Sequence, residues 1–167
     1  MKGGQELIGG LDVRVNRNYF GRQTESFEAE IGLHFLDGQT NSDSRPFRGL
    51  FIRAPVVESI LKPGPKDQVT ETAKENTVTA PAQDLSDLGA QPVEIMARLP
   101  GRSQAFKNRT VDLSLDDEIG DIVAVRQRNC FATSFHPELT NDARIHTWWL
   151  MQVQTFVSEA GKTVERR

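Results

Sequence analysis

The stretch that decides the reading is IVAVRQRNCFATSFHPELT, residues 122–140. Ile122 to Val125 is an unbroken apolar run, the pattern of a strand buried on both faces. Arg126 to Asn129 reads as a turn, and Cys130 to Phe135 as the strand that returns from it. His136-Pro137-Glu138-Leu139-Thr140 then leaves the strand, and Asn141-Asp142 offer a helix start. Beyond them Ile145, Trp148, Trp149, Val153, Phe156 and Val157 recur at helical spacing, with Gln152 the one exception. The spacing predicts an amphipathic helix that ends near Gly161. Both tryptophans are expected to serve the core under that helix.

Working upstream, Leu11 to Val15 alternates apolar and polar residues as a half-buried strand does. Asn16 to Gly21 breaks the alternation as a loop. Ser26 to Leu33 sets Phe27, Ala29, Ile31 and Leu33 on one face, a second strand by the same test. Asp37 to Arg45 is polar and turn-rich. Gly49 to Ile52 is a short apolar run closed by Arg53-Ala54-Pro55, and Pro55 is expected to end strand pairing there. Residues 62–92 scatter Pro63, Gly64, Pro65, Pro81 and Pro92 among polar and charged residues. Such a segment buries too little apolar surface to offset its ordering entropy, and reads as a mobile surface insertion. Val93 to Leu99 predicts a strand with Val93, Ile95 and Ala97 on one face, and a second polar insertion follows over about Pro100 to Asp121. Strand-like segments on both sides of the insertions make this one domain over residues 1–160, with a polar tail at 161–167.

A chain of 167 residues suffices for one domain with a real core. Twenty basic and 23 acidic residues give a net charge of −3, so no field favours nucleic acid or an anionic membrane. The single cysteine, Cys130, excludes a disulfide within the chain and a cysteine-based metal cluster. One thiol fits a reducing compartment, and no window approaches the roughly 18 apolar residues of a membrane span. A cytoplasmic placement is the expectation. The opening is unusual. Met1 to Glu6 leads at once into Gly9-Gly10-Leu11-Asp12-Val13, without the buried strand that normally starts a doubly wound α/β domain.

The candidate chemistry centres on His136 and Glu138. Residues i and i+2 at a strand end lie on the same side, so the carboxylate can accept a hydrogen bond from one imidazole nitrogen. That fixes the tautomer in which the other nitrogen acts as base. As a bare pattern His-x-Glu is weak, because most such pairs are surface residues without a catalytic role. Arg17 and Arg53 read equally as structural or surface ion pairs, and His34 and His146 carry no assigned role.

The order of motifs adds a resemblance. Thr133 to Thr140, preceded by Ile122 to Gln127, resembles the C-terminal signature of class I glutamine amidotransferases. Gly10-Leu11-Asp12-Val13, Arg17-Asn18-Tyr19-Phe20-Gly21-Arg22-Gln23 with Ser26-Phe27-Glu28-Ala29, and Phe51-Ile52-Arg53-Ala54-Pro55 narrow it further. In this order they look like the glutaminase subunit family of pyridoxal 5'-phosphate synthase. The blocks cover most of residues 3–57 and 122–150, with both insertions outside them. Arg128 stands in the turn where members of that family commonly carry glycine.

The resemblance implies an α/β fold, the C-terminal part of a flavodoxin-like glutamine amidotransferase domain. It implies a cysteine hydrolase that releases ammonia from L-glutamine and passes it to a synthase partner subunit, with no cofactor and no metal. His136 would match the histidine of a Cys-His-Glu triad and Glu138 its carboxylate. Arg17, Ile52 and Arg53 would match the glutamine-binding elements, where a planar guanidinium suits an α-carboxylate. The family's nucleophile lies in a Gly-Thr-Cys-Ala-Gly-like elbow upstream of the Gly-Leu-Asp-Val block, and no such elbow occurs in these residues. Cys130 precedes His136 by six residues, a span of roughly 20 Å in a strand, and reads as a buried, unreactive thiol. The chain is therefore expected to be an N-terminally truncated member, inactive by itself. The competing expectation is a non-catalytic truncated paralogue or an interaction subunit.

Overall fold

The computed structural model describes residues 9–16, 26–37, 45–61, 70–72, 77–79, 91–102 and 117–164. Among these residues nine strands pair in three sheets. Strands β1 (Val13–Asn16), β4 (Val56–Ile60), β5 (Thr70–Thr72) and β6 (Thr77–Thr79) form the first, in the order β4-β1-β6-β5. Strands β2 (Phe27–Ile31) and β3 (Phe47–Phe51) form the second, and β7 (Glu94–Arg98), β8 (Ile122–Gln127) and β9 (Cys130–Thr133) the third. Every described pair is antiparallel. Among the described residues two α-helices flank strands of the last sheet, a single turn α1 (Asp117–Gly120) before β8 and the long α2 (Arg144–Val164) after β9. The α/β expectation holds.

Strand β8 is the spine. Ile122, Val123, Ala124 and Val125 are all buried, as their unbroken apolar run requires. Val123 and Ala124 face a core built from Ile31, Phe47, Phe51, Phe135, Ile145 and Trp148. Ile122 and Val125 join Val57 in a second, smaller cluster. In β2 the period-2 pattern survives intact: Ile31 is buried, and Glu28 and Glu30 face solvent. Gly49 of β3 is required by close approach, because a methyl there would lie 2.5 Å from the buried Ile31 Cδ1 and 3.3 Å from Phe135.

Several expectations need correction. Strand β3 ends at Phe51, ahead of Pro55, and Val56 directly after that proline starts β4, which the sequence reading passed over and which pairs with β1. Within 62–92, read as an insertion without its own structure, six threonine-rich residues form the β5–β6 hairpin, and β6 adds to β1. Threonine has high strand propensity, and an existing edge supplies the pairing that composition alone does not foresee. In β7 two register irregularities flank Ala97, so the alternation slips and Ile95 is exposed at 39%. Strand β8 extends to Gln127, leaving only Arg128 and Asn129 as the turn. Arg128 adopts φ 55, a left-handed conformation that explains why glycine suits this position. Helix α2 continues through Gly161 to Val164, so that the segment read as a tail begins in a helix.

Buried polar groups tie the sheets together. Gln127, 2% exposed, accepts the Asp12 amide at 2.8 Å and donates to Asp12 Oδ2 at 2.7 Å and to the Gln91 carbonyl at 2.8 Å. The start of α2 is anchored by Asp142, whose Oδ1 accepts the Arg144 amide at 3.1 Å. The Arg144 guanidinium bonds both Asp142 oxygens and also donates to the carbonyls of Arg45 at 2.9 Å and Pro46 at 3.3 Å. The helix is thereby fixed to the entrance of β3. Its first turns bury Ile145 and Trp148, while Leu150, Phe156 and Val157 further along are more than 60% exposed.

This division of α2 predicts unequal costs in denaturant unfolding. Trp148→Ala should lose about 3–5 kcal/mol, as for other buried aromatic truncations, whereas Phe156→Ala should stay within about 0.5 kcal/mol of wild type. The Asp142 anchor makes a pH-dependent prediction. Hydrogen bonds from Arg144 hold the Asp142 carboxyl below its ordinary value of 3.8. The stability it confers is present above that ordinary value and is lost as pH falls through the lower, folded one. Asp142→Asn should cost about 1–2 kcal/mol at neutral pH, and unfolding curves of variant and wild type should converge as pH is taken below the carboxylate range.

Candidate active site

The approach to His136 is built by pairing that outlasts β9. The Ser134 amide donates to the Val123 carbonyl at 2.9 Å, Phe135 is buried against Phe47 and Phe51, and the His136 amide donates to the Leu50 carbonyl at 2.8 Å. His136 thus stands where the β8–β9 sheet meets β3. The chain then turns through a 3-10 segment, Pro137–Leu139, which Thr140 closes by donating from its hydroxyl to the Pro137 carbonyl at 3.0 Å.

That turn brings Glu138 back to the imidazole. His136 Nδ1 lies 2.8 Å from Glu138 Oε1. The expected pairing is present, but the 3-10 turn produces it, not strand alternation. The hydrogen bond from His136 is the main cause holding the Glu138 carboxyl below its ordinary range, so the carboxylate is ionised at neutral pH. An ionised Glu138 accepts from Nδ1–H, which leaves the lone pair on Nε2, free to take or deliver a proton.

The pair borders a cleft of ≈ 770 Å³, also lined by Ile52, Arg53, Pro55, Cys130, Phe131, Ile145, His146 and Trp149. Ile52 and Arg53 therefore stand in the same cleft as His136 and Glu138. Arg53 is exposed with φ 48, a left-handed conformation that costs roughly 1–2 kcal/mol for a residue with a side chain. Arg17, the other arginine singled out from the sequence, lies outside the described residues. A second cavity, of ≈ 260 Å³, is lined by apolar residues such as Val13, Val57 and Ile122, and none of the described residues on its walls is titratable.

Cys130 requires a correction. It is half-buried, not buried, and it lines the cleft with His136. Its Sγ lies 3.8 Å from Asn129 Oδ1, and the Gly10 backbone approaches the same sulfur. No hydrogen bond joins this thiol to His136 among the described residues.

Two lining residues escaped the sequence reading. His146 and Trp149 face the cleft from the first turns of α2, one helical turn apart, while Trp148 is buried in the core and Trp149 also packs against it, as expected of both. The signal was available: a helix starting directly after the His136 segment must lay one face over it, and i, i+3 neighbours share a face. Among the described residues no three His, Cys, Asp or Glu side chains converge as metal ligands, and no helix is long and apolar enough to cross a membrane.

The SNO glutamine amidotransferase family matches over residues 3–90 and 77–155, so residues 62–90 fall inside the match. The probable pyridoxal 5'-phosphate synthase subunit PDX2 of Arabidopsis thaliana is 36% identical, over 98% of this chain and 56% of that protein. The pyridoxal 5'-phosphate synthase subunit PdxT of Acidothermus cellulolyticus is 38% identical, over 90% of this chain and 49% of its own. PdxT of Methanosarcina mazei is 37% identical, over 91% and 49%. A crystal structure of a glutamine amidotransferase overlaps 84% of this chain and 45% of its own at 32% identity, with a TM-score of 0.45. The chain spans about half the length of the curated relatives it matches. With its motifs, its His136–Glu138 pair and a match over most of its residues, the chain belongs to the SNO glutamine amidotransferase family.

Proposed function

We propose that this chain carries the histidine–carboxylate and glutamine-binding half of a glutaminase site, which serves a pyridoxal 5'-phosphate synthase in the cytoplasm. The observation that carries the reading is the His136–Glu138 hydrogen bond of 2.8 Å at the edge of a cleft shared with Ile52 and Arg53. Residues 1–160 make one partial amidotransferase domain. L-Glutamine enters the cleft with its α-carboxylate held by Arg53 and Arg17 and its flank against Ile52. A cysteine thiolate attacks the side-chain carboxamide carbon. His136 Nε2 delivers a proton to the departing ammonia, then takes one from the water that hydrolyses the thioester to glutamate. Glu138 keeps the imidazole in the required tautomer. The ammonia passes to the synthase subunit.

The thiolate comes from a Gly-x-Cys-x-Gly segment outside these 167 residues. Cys130 is not aimed for the part, since its sulfur faces Asn129 and Gly10. That same observation favours a second reading, in which the chain is a non-catalytic interaction subunit.

Ammonia release separates the two. The chain alone, with or without synthase subunit, should produce none from L-glutamine. Adding a polypeptide with the family's cysteine elbow should produce it, and continued silence would favour the interaction subunit. Ammonia from the unsupplemented chain that vanished in Cys130→Ala would instead make Cys130 the nucleophile. In the supplemented enzyme His136→Ala should lower kcat by about 10²–10⁴-fold, the range of lost acid–base catalysis. Glu138→Gln should lose less. Arg53→Ala should raise KM by about ten- to a hundredfold with little change in kcat, because carboxylate binding is shared by ground and transition states. Full activity in His136→Ala would refute the assignment.

A further inference from the structure

Arg102 stands at the described start of the second polar segment and is 4% exposed. A tight turn puts it there. The Leu99 amide donates to the Asp121 carbonyl at 2.8 Å, the Gly101 amide to Asp121 Oδ2 at 3.0 Å, and the Arg102 amide to the Leu99 carbonyl at 3.2 Å. Gly101 makes the turn possible with φ 80. The guanidinium then reaches inward. Nη2 donates to the Pro55 carbonyl at 3.1 Å, and Nη1 to Ser134 Oγ at 3.2 Å and the Ile122 carbonyl at 3.4 Å. Its Cζ lies over the Phe51 ring, 5.4 Å from the ring centre. Burial lowers its pKa to about 10, with Asp121 opposing, so it remains a cation at neutral pH.

Pro55 closes the turn that holds Arg53, and Ser134 lies two residues before His136. We infer that Arg102 is a positioning residue that clamps the strained Arg53 turn to the strand end delivering His136, fixing the spacing of the two cleft walls. This rests on the reading of His136 and Glu138 as the working pair. A left-handed arginine persists only where its surroundings over-determine it, and the bond to the Pro55 carbonyl supplies that constraint. The planar fork reaches acceptors on both walls at once, which neither an apolar side chain nor a lysine can reproduce.

The test reads the His136 ring directly, in the ¹⁵N-labelled full chain, by two-bond ¹H–¹⁵N correlation above the imidazole titration range. Wild type should show the Nδ1–H tautomer. In Arg102→Met the ratio of Nδ1–H to Nε2–H forms should fall by about fivefold, the equivalent of one net hydrogen bond, with partial recovery in Arg102→Lys. His34 should not change. A folded Arg102→Met with the wild-type ratio, whatever its melting temperature, would reduce Arg102 to a structural residue and overturn the clamp. If that variant does not fold, Ser134→Ala decides: a smaller fall in the same direction supports the clamp, and an unchanged ratio overturns it. The measurement uses no glutamine turnover. Failure of the proposed reaction in an otherwise responsive protein would sink the function and not the clamp.

Discussion

Phe135 is the point on which the arrangement depends. Its ring is buried against Phe47 and Phe51, with centroids 5.6 and 5.7 Å away. The residues on either side are held by backbone bonds to different sheets, Ser134 to Val123 and His136 to Leu50. One aromatic side chain therefore joins the β8–β9 ladder to β3. Burying an aromatic ring is worth several kcal/mol, far more than any single polar contact of an exposed pair. The position of His136 is thus set by core packing, while the hydrogen bond to Glu138 orients only the ring that packing has already placed.

The same division governs what the sequence revealed. Strand β8 was legible because four consecutive apolar residues leave no polar face, and β2 because Glu28 and Glu30 alternate with buried positions. The His136–Glu138 pair was legible as a short local motif. Strand β4 was not, since Pro55 reads as a break in pairing, whereas β3 has already ended at Phe51 and the next strand begins on the residue after the proline. The bulges of β7 broke the only pattern that could have assigned its faces. Arg102 was illegible for a different reason. Its partners Pro55 and Ser134 lie 47 and 32 residues away in sequence, so nothing local marks it as buried. Cys130 reads as buried from its place in an apolar strand pair, and it is half-buried because β9 begins at this residue, beside the exposed Asn129 of the turn.

The cleft draws on three kinds of support. His136 follows the packed end of the β8–β9 sheet, His146 and Trp149 ride on a helix anchored through Asp142 and Arg144, and Arg53 sits in a left-handed turn. Each is held by a different constraint: ring packing behind His136, the Asp142–Arg144 ion pair at the start of α2, and the Arg102 bond to the Pro55 carbonyl beside Arg53.

Gln127 has a consequence for how the molecule assembles. Its bonds to Asp12 close a loop of 115 residues, whereas β8 and β9 are joined by a two-residue turn. Hairpins of that kind form within microseconds, and loop closure becomes entropically costlier with length. The third sheet is thus the natural early structure, and β1 the late arrival that must find an amide side chain already buried at the end of β8. High contact order of this sort slows folding. It leaves the first strand unattached while the rest condenses, which is the interval in which an uncovered sheet edge is most exposed to other chains.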